Sequence, residues 1–175
     1  MILGLRSKTI ELLPHDPEWE KAFFEEKQKI VKLIGDKIIG IEHIGSTAIK
    51  TIHAKPIIDI AISLEKYSDG FECIESLNSI GYLYKGEYGV LGRHFFRTND
   101  EIVKFHLHMF EITSNEWKNH ILFRNYLNQN PGKAKEYEAL KFKLLKEFPD
   151  ERELYTRNKG PFIQKIIEEA QRGKS

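Results

Sequence analysis

Apolar positions in the first part of the chain follow two different spacings. Over 19–34 they recur every three or four residues after an Asp16-Pro17 start, which is the arrangement of one face of a helix. Two isoleucine-rich runs follow at 38–44 and 57–62, and continuous β-branched runs of this length are typical of buried strands. The pattern therefore predicts one amphipathic helix, then two buried strands joined by a loop.

The middle of the chain changes between helical and strand-like spacing. Residues 70–80 have helical spacing, and a strand is predicted at 82–85. Strand-like runs at 94–97 and 103–111 flank the polar residues 98–101, a stretch able to turn a hairpin. We expect the sheet to end with this hairpin.

The last third of the chain is predicted to be helical. The expected helices cover 117–127, 133–148 and 151–171, and Gly160-Pro161 should kink or break the last of them. The order of elements predicts an α+β protein, in which helices pack on a mixed β-sheet and a helical segment follows at the C-terminus. No repeat, linker or shift of composition marks a boundary, so residues 1–175 are predicted to form a single domain.

Composition narrows the class of protein. The 175 residues are 41% hydrophobic and 30% charged, values near the average for folded soluble proteins. Lysine and arginine number 27 against 26 acids, so no overall field would gather nucleic acid or an anionic membrane. The single cysteine, Cys73, falls in an apolar helical pattern and is expected to pack in the core. No signal-like or membrane-spanning run is visible, and a reducing cytoplasm is the predicted location.

The candidate chemistry lies around the two isoleucine-rich strands. The run HIGST at 43–47 ends the first strand, and Asp59 lies inside the second. Gly45 lets the backbone approach a ligand, while exposed N–H groups and the hydroxyls of Ser46 and Thr47 can hold phosphate oxygens. A carboxylate in an apolar strand needs a cationic partner or a metal ion. In the alternative interpretation, the run is an ordinary turn and Asp59 is a structural hydrogen-bond acceptor.

Longer blocks around these residues resemble the GrpB family. The matching blocks are EHIGSTA at 42–48, AKPIIDI at 54–60, GRHFF at 92–96, HLH at 106–108, FRNYL at 123–127 and YEALK at 137–141. The resemblance extends over about residues 8–165. It implies a nucleotidyltransferase-like fold, whose signature is a Gly-Ser turn followed by a strand with Asp-x-Asp or Asp-x-Glu. A related domain is fused to dephospho-coenzyme A kinase in some bacteria, which points to nucleotide chemistry.

The sequence departs from that signature at Ala61, which stands two residues after Asp59 where a second acid is expected. A two-metal clamp would therefore lack one carboxylate. The strand after the predicted hairpin turn instead carries His106 and His108, whose spacing of two places both imidazoles on one face. If Asp59 lies on that face, the three side chains could hold a divalent ion, with Zn, Mn or Mg as candidates and a transition metal favoured. Otherwise the histidines bond a substrate phosphate or line a polar face of the sheet.

Cationic residues are candidates for binding phosphate, since arginine forks match phosphate oxygens and lysine provides a point charge. The candidates near the motifs are Lys55, Arg93 and Arg97. His43 is expected either to contact the ligand or to support the loop. Positions on the helices that match the family, and that are candidates to close over the sheet, are Arg124, Tyr126, Lys141 and Lys159. In the alternative interpretation these charges face water.

Two functional classes follow from these residues. In the first, the cleft binds a nucleotide or a phosphorylated small molecule for nucleotidyl or phosphoryl transfer, with Ser46 and Asp59 as the catalytic pair. Ser46 and Lys55 then hold phosphate, and Asp59 with the histidines holds the metal. In the second, the absent second acid marks a catalytically inert domain that recognises a nucleotide or phosphometabolite in a regulatory role. Neither class predicts a membrane or a nucleic acid as partner.

Overall fold

The computed structural model describes residues 2–6, 9–98 and 101–173. The strands are β1 (Leu5–Arg6), β2 (Gly40–Ile44), β3 (Ile58–Leu64), β4 (Tyr82–Tyr84), β5 (His94–Thr98), β6 (Ile102–Val103) and β7 (Phe105–Glu111). The helices are α1 (Glu18–Ile34), α2 (Asp69–Glu72), α3 (Ile74–Ser79), α4 (Asn115–Gln129), α5 (Pro131–Glu147), α6 (Arg152–Asn158) and α7 (Gly160–Arg172).

Five strands form one mixed sheet in the order β2-β3-β7-β5-β4, and β1 pairs with β6 apart from it. The neighbours β3 and β7 run parallel, whereas the other pairings of the sheet are antiparallel. Side chains directly opposite one another on neighbouring strands share a face of the sheet. The register of β3 against β7 therefore decides which polar side chains meet.

One face of the sheet carries the main hydrophobic core. Ile60 and Leu107 are fully buried there, in one cluster with residues of α1 and α3. The predicted apolar face of α1 is confirmed, with Trp19 fully buried. Asp16 stands just before this helix, and its carboxylate accepts a hydrogen bond from the Glu18 amide at 2.9 Å.

The opposite face of the sheet is covered by the C-terminal helices. Helix α4 packs on β2, β3 and β7, and both α5 and α7 pack on α4. This helical layer has its own apolar cluster around Phe123, Tyr137 and Ile166. The predicted segment 151–171 forms α6 and α7, which separate at Lys159, directly before Gly160-Pro161. The predicted α+β architecture and the predicted helix break are both confirmed.

The predicted helix at 70–80 is divided into α2 and α3 at Cys73. The Cys73 amide donates to the Gly70 carbonyl at 3.2 Å, a 3-10-type bond that tightens the chain between the two helices. Cys73 is fully buried in the main core, as predicted. Burial raises the pKa of its thiol to about 11, which makes it a packing residue and not a nucleophile.

Two other expectations meet the structure only in part. The segment 9–13 is an extended arm, in which Leu13 forms a single antiparallel bridge with Ala54 through two hydrogen bonds of 2.9 Å. The predicted hairpin joins antiparallel neighbours β5 and β7. Of its turn, Asn99 and Asp100 lie outside the described residues.

None of the helices in the described ranges combines the length and the apolar character needed to cross a bilayer. The longest, α1 and α5, have 17 residues each and carry charged side chains along their length.

Substitution of Gly70 by alanine should destabilise the fold. A Cβ at this position would run into the ring of His94, which is fully buried and held between the Tyr67 carbonyl and the Tyr84 hydroxyl. We expect the free energy of unfolding to fall by about 1–3 kcal/mol in urea titrations. Gly132→Ala is the matched control, because that helical glycine faces open space, and it should stabilise by up to about 1 kcal/mol. Equal responses of the two variants would contradict this account.

Candidate functional site

Asp59 and the two histidines project from the same face of the sheet. In the parallel pairing of β3 and β7, Asp59 lies opposite His106 and Ala61 lies opposite His108. The intervening Ile60 and Leu107 point into the main core, so the polar residues point to the side covered by the C-terminal helices. The geometric condition for a joint site is therefore met.

A bifurcated hydrogen bond joins the three side chains. Asp59 Oδ1 lies 3.0 Å from His106 Nδ1 and 3.1 Å from His108 Nε2. Burial opposes ionisation of Asp59, yet the bonds from His106 and His108 outweigh it and hold the pKa of this carboxyl well below its usual range. The side chains of Asp59, His106 and His108 keep 28%, 15% and 11% of their exposure. The Asp59 carboxylate is thus ionised, and all three side chains remain partly accessible to solvent.

The Gly-Ser turn leaves β2 directly beside this carboxylate, because Ile44 pairs with Asp59. Gly45 has φ 72°, and a Cβ at this position would lie 2.5 Å from Asp59 Oδ2, so only glycine allows the close approach. Ser46 opens the 3-10 turn Ser46–Ala48, and its hydroxyl interacts with the phenol of Tyr137 on α5. The hydroxyl and the carboxylate therefore lie close together, between the sheet and the helical layer.

The first and last residues of the HIGST run, His43 and Thr47, support the turn from the face of the sheet opposite Asp59. His43 pairs with Ile60, so its imidazole lies on the opposite face of the sheet from Asp59 and stacks on Phe23 at 4.9 Å. Its Nε2 lies 2.9 Å from the hydroxyl of Thr47, which is nearly fully buried. Burial lowers the pKa of His43 to about 4, so the ring is neutral at physiological pH. Contact of either residue with a ligand stays a prediction.

Four cationic side chains gather on the Asp59 side of the sheet. We name them the cation cluster: Lys55, Lys141, Arg152 and Lys159. Lys55 Nζ and Lys159 Nζ lie 5.1 Å and 4.8 Å from the centroid of the same ring, that of Tyr155 on α6. The charge of Asp59 acts on Lys55, Arg152 and Lys159 alike. One carboxylate thus lies among several cations.

Burial, and then repulsion within the cluster, lowers the pKa of its lysines. The pKa of Lys55 lies well below its usual value, that of Lys141 falls to about 7 and that of Lys159 to about 8. The charges that act on Lys55 are three cations, Lys159, Arg152 and Lys141, and the single carboxylate of Asp59. This local excess of positive charge favours an anionic ligand.

Arg93 is nearly buried and holds His108 in one orientation. Its Nε and Nη2 donate to the carbonyls of Glu87 and Tyr88 at 3.1 Å and 2.7 Å, and its Nη1 lies 3.4 Å from His108 Nδ1. A guanidinium can only donate, so Nδ1 of His108 is the acceptor and Nε2 carries the proton that it shares with Asp59. Arg93 therefore acts here as a positioning residue.

Two predicted ligand residues on the helices are held by contacts within the protein. Arg124 on α4 donates to Glu42 Oε2 at 2.7 Å and to the carbonyl of His43 at 2.8 Å, which braces the end of β2. Lys141 on α5 donates to the carbonyl of His53. Lys141 belongs to the cation cluster, whereas Arg124 lies at the β2 edge of the site. Their contact with a ligand stays a prediction.

The helices add site residues that the sequence analysis did not select: His120, Arg152 and Tyr155. The His120 ring lies 5.7 Å from that of His108, and burial lowers the pKa of His120 to about 4. Arg152 interacts electrostatically with Arg97, which shares the face of the site histidines. No motif marks these positions in the sequence. Only the packing of α4 and α6 over the sheet brings them to the site.

Asp59, His106 and His108 offer a donor set for a metal ion, since one ligand atom of each lies within 4.8 Å of the others. A tetrahedral ion with bonds of about 2.0–2.2 Å needs ligand atoms roughly 3.4 Å apart, which small side-chain movements provide. Two imidazoles and one carboxylate suit zinc better than magnesium. Arg93 opposes this use of His108, because a metal-bound histidine normally donates its other N–H to an acceptor.

This chain resembles known proteins along most of its length. Residues 9–169 match the sequence family described as GrpB protein. The Glutamate-rich protein GrpB of Alkalihalophilus pseudofirmus is 36% identical over 173 residues, which cover 96% of this chain and 99% of the relative. The UPF0157 protein YqkA of Bacillus subtilis is also 36% identical, over 167 residues that cover 95% of this chain and 49% of the relative. The chain thus spans about half the length of YqkA.

Solved structures show the same fold. The crystal structure of conserved protein GrpB from Enterococcus faecalis superposes with a TM-score of 0.86 at 33% identity, covering 94% of this chain and 99% of that one. Terminal uridylyl transferase 4 from Trypanosoma brucei with bound CTP superposes with a TM-score of 0.50 at 13% identity, covering 78% of this chain and 43% of that one. The expected nucleotidyltransferase-like fold is therefore confirmed, and this chain belongs to the GrpB protein family.

Proposed function

We propose that the site formed by Asp59, Ser46 and the cation cluster binds a nucleotide or another phosphorylated small molecule. The observation that carries the proposal is the cation cluster, in which Lys55 and Lys159 lie near the same aromatic ring and have Asp59 as their acidic neighbour. A bound polyphosphate would supply negative charge that offsets the positive charge of these side chains. The nucleotide-bound uridylyl transferase has the same fold, which supports a nucleotide as one member of this ligand class.

Ser46 and the turn that follows it provide the geometry for a phosphate group. The Ser46 hydroxyl faces the helical layer at Tyr137, and the glycine before it brings the backbone against Asp59. Lys55 and Lys159 both lie near the Tyr155 ring, so a phosphate that reached both amines would receive charge-assisted hydrogen bonds from each. Asp59 would repel such a ligand, and the hydrogen bonds that its Oδ1 accepts from His106 and His108 reduce this repulsion only in part.

Asp59, His106 and His108 are the residues that would hold a divalent metal beside the phosphate. A bound ion would neutralise phosphate charge and polarise a phosphoryl oxygen. For His108 to serve, its Nε2 must give up the proton that it now shares with Asp59, and the proton on Nδ1 would then face Arg93. Metal binding and the Arg93 contact are thus in competition.

A nucleotidyl or phosphoryl transfer would use Asp59 and Ser46 as its central groups. The alternative is an inert domain that recognises the same ligand in a regulatory role, and one observation favours it: Ala61 lies opposite His108, where the second acid would stand. Release of pyrophosphate from a nucleoside triphosphate, lost in Asp59→Asn, would favour transfer. Tight binding without release would favour the regulatory role.

Tripolyphosphate and nucleoside triphosphates should bind the unmodified protein in titration calorimetry. Lys55→Ala and Lys159→Ala should each weaken tripolyphosphate binding about tenfold, the value of one charge-assisted hydrogen bond. Lys165→Ala is the matched control, since this lysine is exposed on the outer side of α7 and should leave the affinity unchanged. Absence of binding to the unmodified protein, or equal effects of Lys159→Ala and Lys165→Ala, would contradict the proposal.

The unliganded protein should become more stable between pH 7 and pH 8.5. Lys141 and Lys159, with pKa values of about 7 and about 8, lose protons in the folded state over this range, whereas in the unfolded state their pKa stays near its ordinary value of 10.5. The unfolded state then binds more protons, so the free energy of unfolding rises with pH. Urea titrations across this range should show the rise in the wild type and a flatter profile in Lys141→Met and Lys159→Met.

Saturating tripolyphosphate should also flatten this profile, because a bound polyanion keeps the amines protonated. The range ends at pH 8.5 because burial raises the pKa of Cys73 from 9.0 to about 11, which opposes the trend at higher pH. A flat or falling profile in the unliganded wild type would contradict the account of the cluster.

Zinc or manganese should bind with an affinity that depends on the site triad and on Arg93. Asp59→Ala and His106→Ala should abolish binding measured by calorimetry and metal analysis. Arg93→Gln, which can accept the proton of His108 Nδ1, should bind the metal about tenfold more tightly. Failure of zinc, manganese and magnesium to bind, or binding that survives in Asp59→Ala, would remove the metal from the proposal.

A further inference from the structure

We propose that the exposed ring of Tyr88 is a stacking platform for the nucleobase of the ligand, which makes a nucleoside polyphosphate the substrate class of this site. The inference rests on the proposed phosphate site and adds a second subsite to it. Tyr88 lies in the loop between β4 and β5, outside every motif that the sequence analysis selected.

One face of the Tyr88 ring is covered and the other is open. The ring stacks on Phe95 with a centroid distance of 4.9 Å and an interplanar angle of 12°. Tyr88 is nevertheless 60% exposed, whereas Phe95 is only 4% exposed. A ring fixed from behind by a parallel aromatic neighbour presents its free π-face to solvent, and a flat heterocycle can stack on that face.

The platform borders the phosphate site. Phe95 pairs directly with His108 in the sheet, and its ring centroid lies 5.2 Å from those of His106 and His108. The Tyr88 side chain lies near Arg93 and near Arg152 of the cation cluster. A ligand whose phosphates occupy the cluster would therefore bring its other end near this ring.

The backbone of the loop holds Tyr88 in an unusual conformation. Its φ of 48° is the only positive φ of a non-glycine residue in the described part of the chain. Such a conformation is disfavoured for a bulky side chain and persists only where the surroundings impose it. Here Arg93 imposes it, since Nη2 bonds the Tyr88 carbonyl at 2.7 Å and Nε bonds that of Glu87 at 3.1 Å. The ring is thus placed before any ligand arrives.

Aromatic stacking distinguishes the classes of phosphorylated ligand. A sugar phosphate or an inorganic polyphosphate has no flat ring and would gain nothing from Tyr88. Every nucleobase has a π-face, so the platform would favour nucleotides without selecting one base. Selection of one particular base would require groups other than this ring.

The experiment compares tripolyphosphate with the four common nucleoside triphosphates by calorimetry on the full chain. The wild type should bind the nucleotides about tenfold more tightly than tripolyphosphate. Tyr88→Asn should lose this difference and keep its affinity for tripolyphosphate, because asparagine tolerates a positive φ and retains the carbonyl that Arg93 bonds. Tyr88→Phe should keep the difference. Leu91→Ala, which alters an 88% exposed residue of the same loop, should also keep it.

The outcomes separate this inference from the phosphate site itself. Equal affinities for nucleotides and tripolyphosphate in the wild type, or a nucleotide preference that survives in Tyr88→Asn, would overturn the platform and leave the phosphate site standing. A parallel loss of tripolyphosphate binding in Tyr88→Asn would show that Tyr88 only supports Arg93, which also overturns it. Failure of every ligand to bind the wild type would overturn both proposals.

Discussion

An ionised carboxylate among mainly cationic side chains is the constraint on which the site depends. Asp59 stays charged because two imidazoles bond one of its oxygens, and the lysines around it have depressed pKa values because they are buried and lie near other cations. The parallel register of β3 and β7 creates this arrangement, since a shift by one residue would turn the histidines into the core. The chemistry of the site is therefore decided by strand pairing.

Much of the fold and part of the site could be predicted from the sequence. The apolar spacing of α1 and the isoleucine-rich runs located the first helix and the first two strands, since these signals depend only on local periodicity. The spacing of His106 and His108 correctly placed both on one face. The location of Asp59 on that same face could be stated only as a condition, because strand order and direction are not encoded locally.

The parts that could not be predicted all depend on contacts between distant segments. Arg152 and Tyr155 lie in a helix of ordinary polar composition. Only the packing of α6 brings them close to Lys55 and Asp59. His43, two residues before Gly45, points to the other face, because side chains alternate along β2 and its partner in the sheet is Ile60 and not Asp59. The loop of Tyr88 carries no sequence motif and is shaped by one buried guanidinium.

The shared ring of Tyr155 has a mechanical consequence. Lys55 lies in the loop before β3, and Lys159 lies at the junction of α6 and α7. The amines of both lie close to the Tyr155 ring. When no anion is bound, repulsion between the two amines opposes the packing of the helical half of the chain on the sheet half. An anion lodged between them would pull in the opposite direction, so occupancy of the site and cohesion of the two halves would rise and fall together.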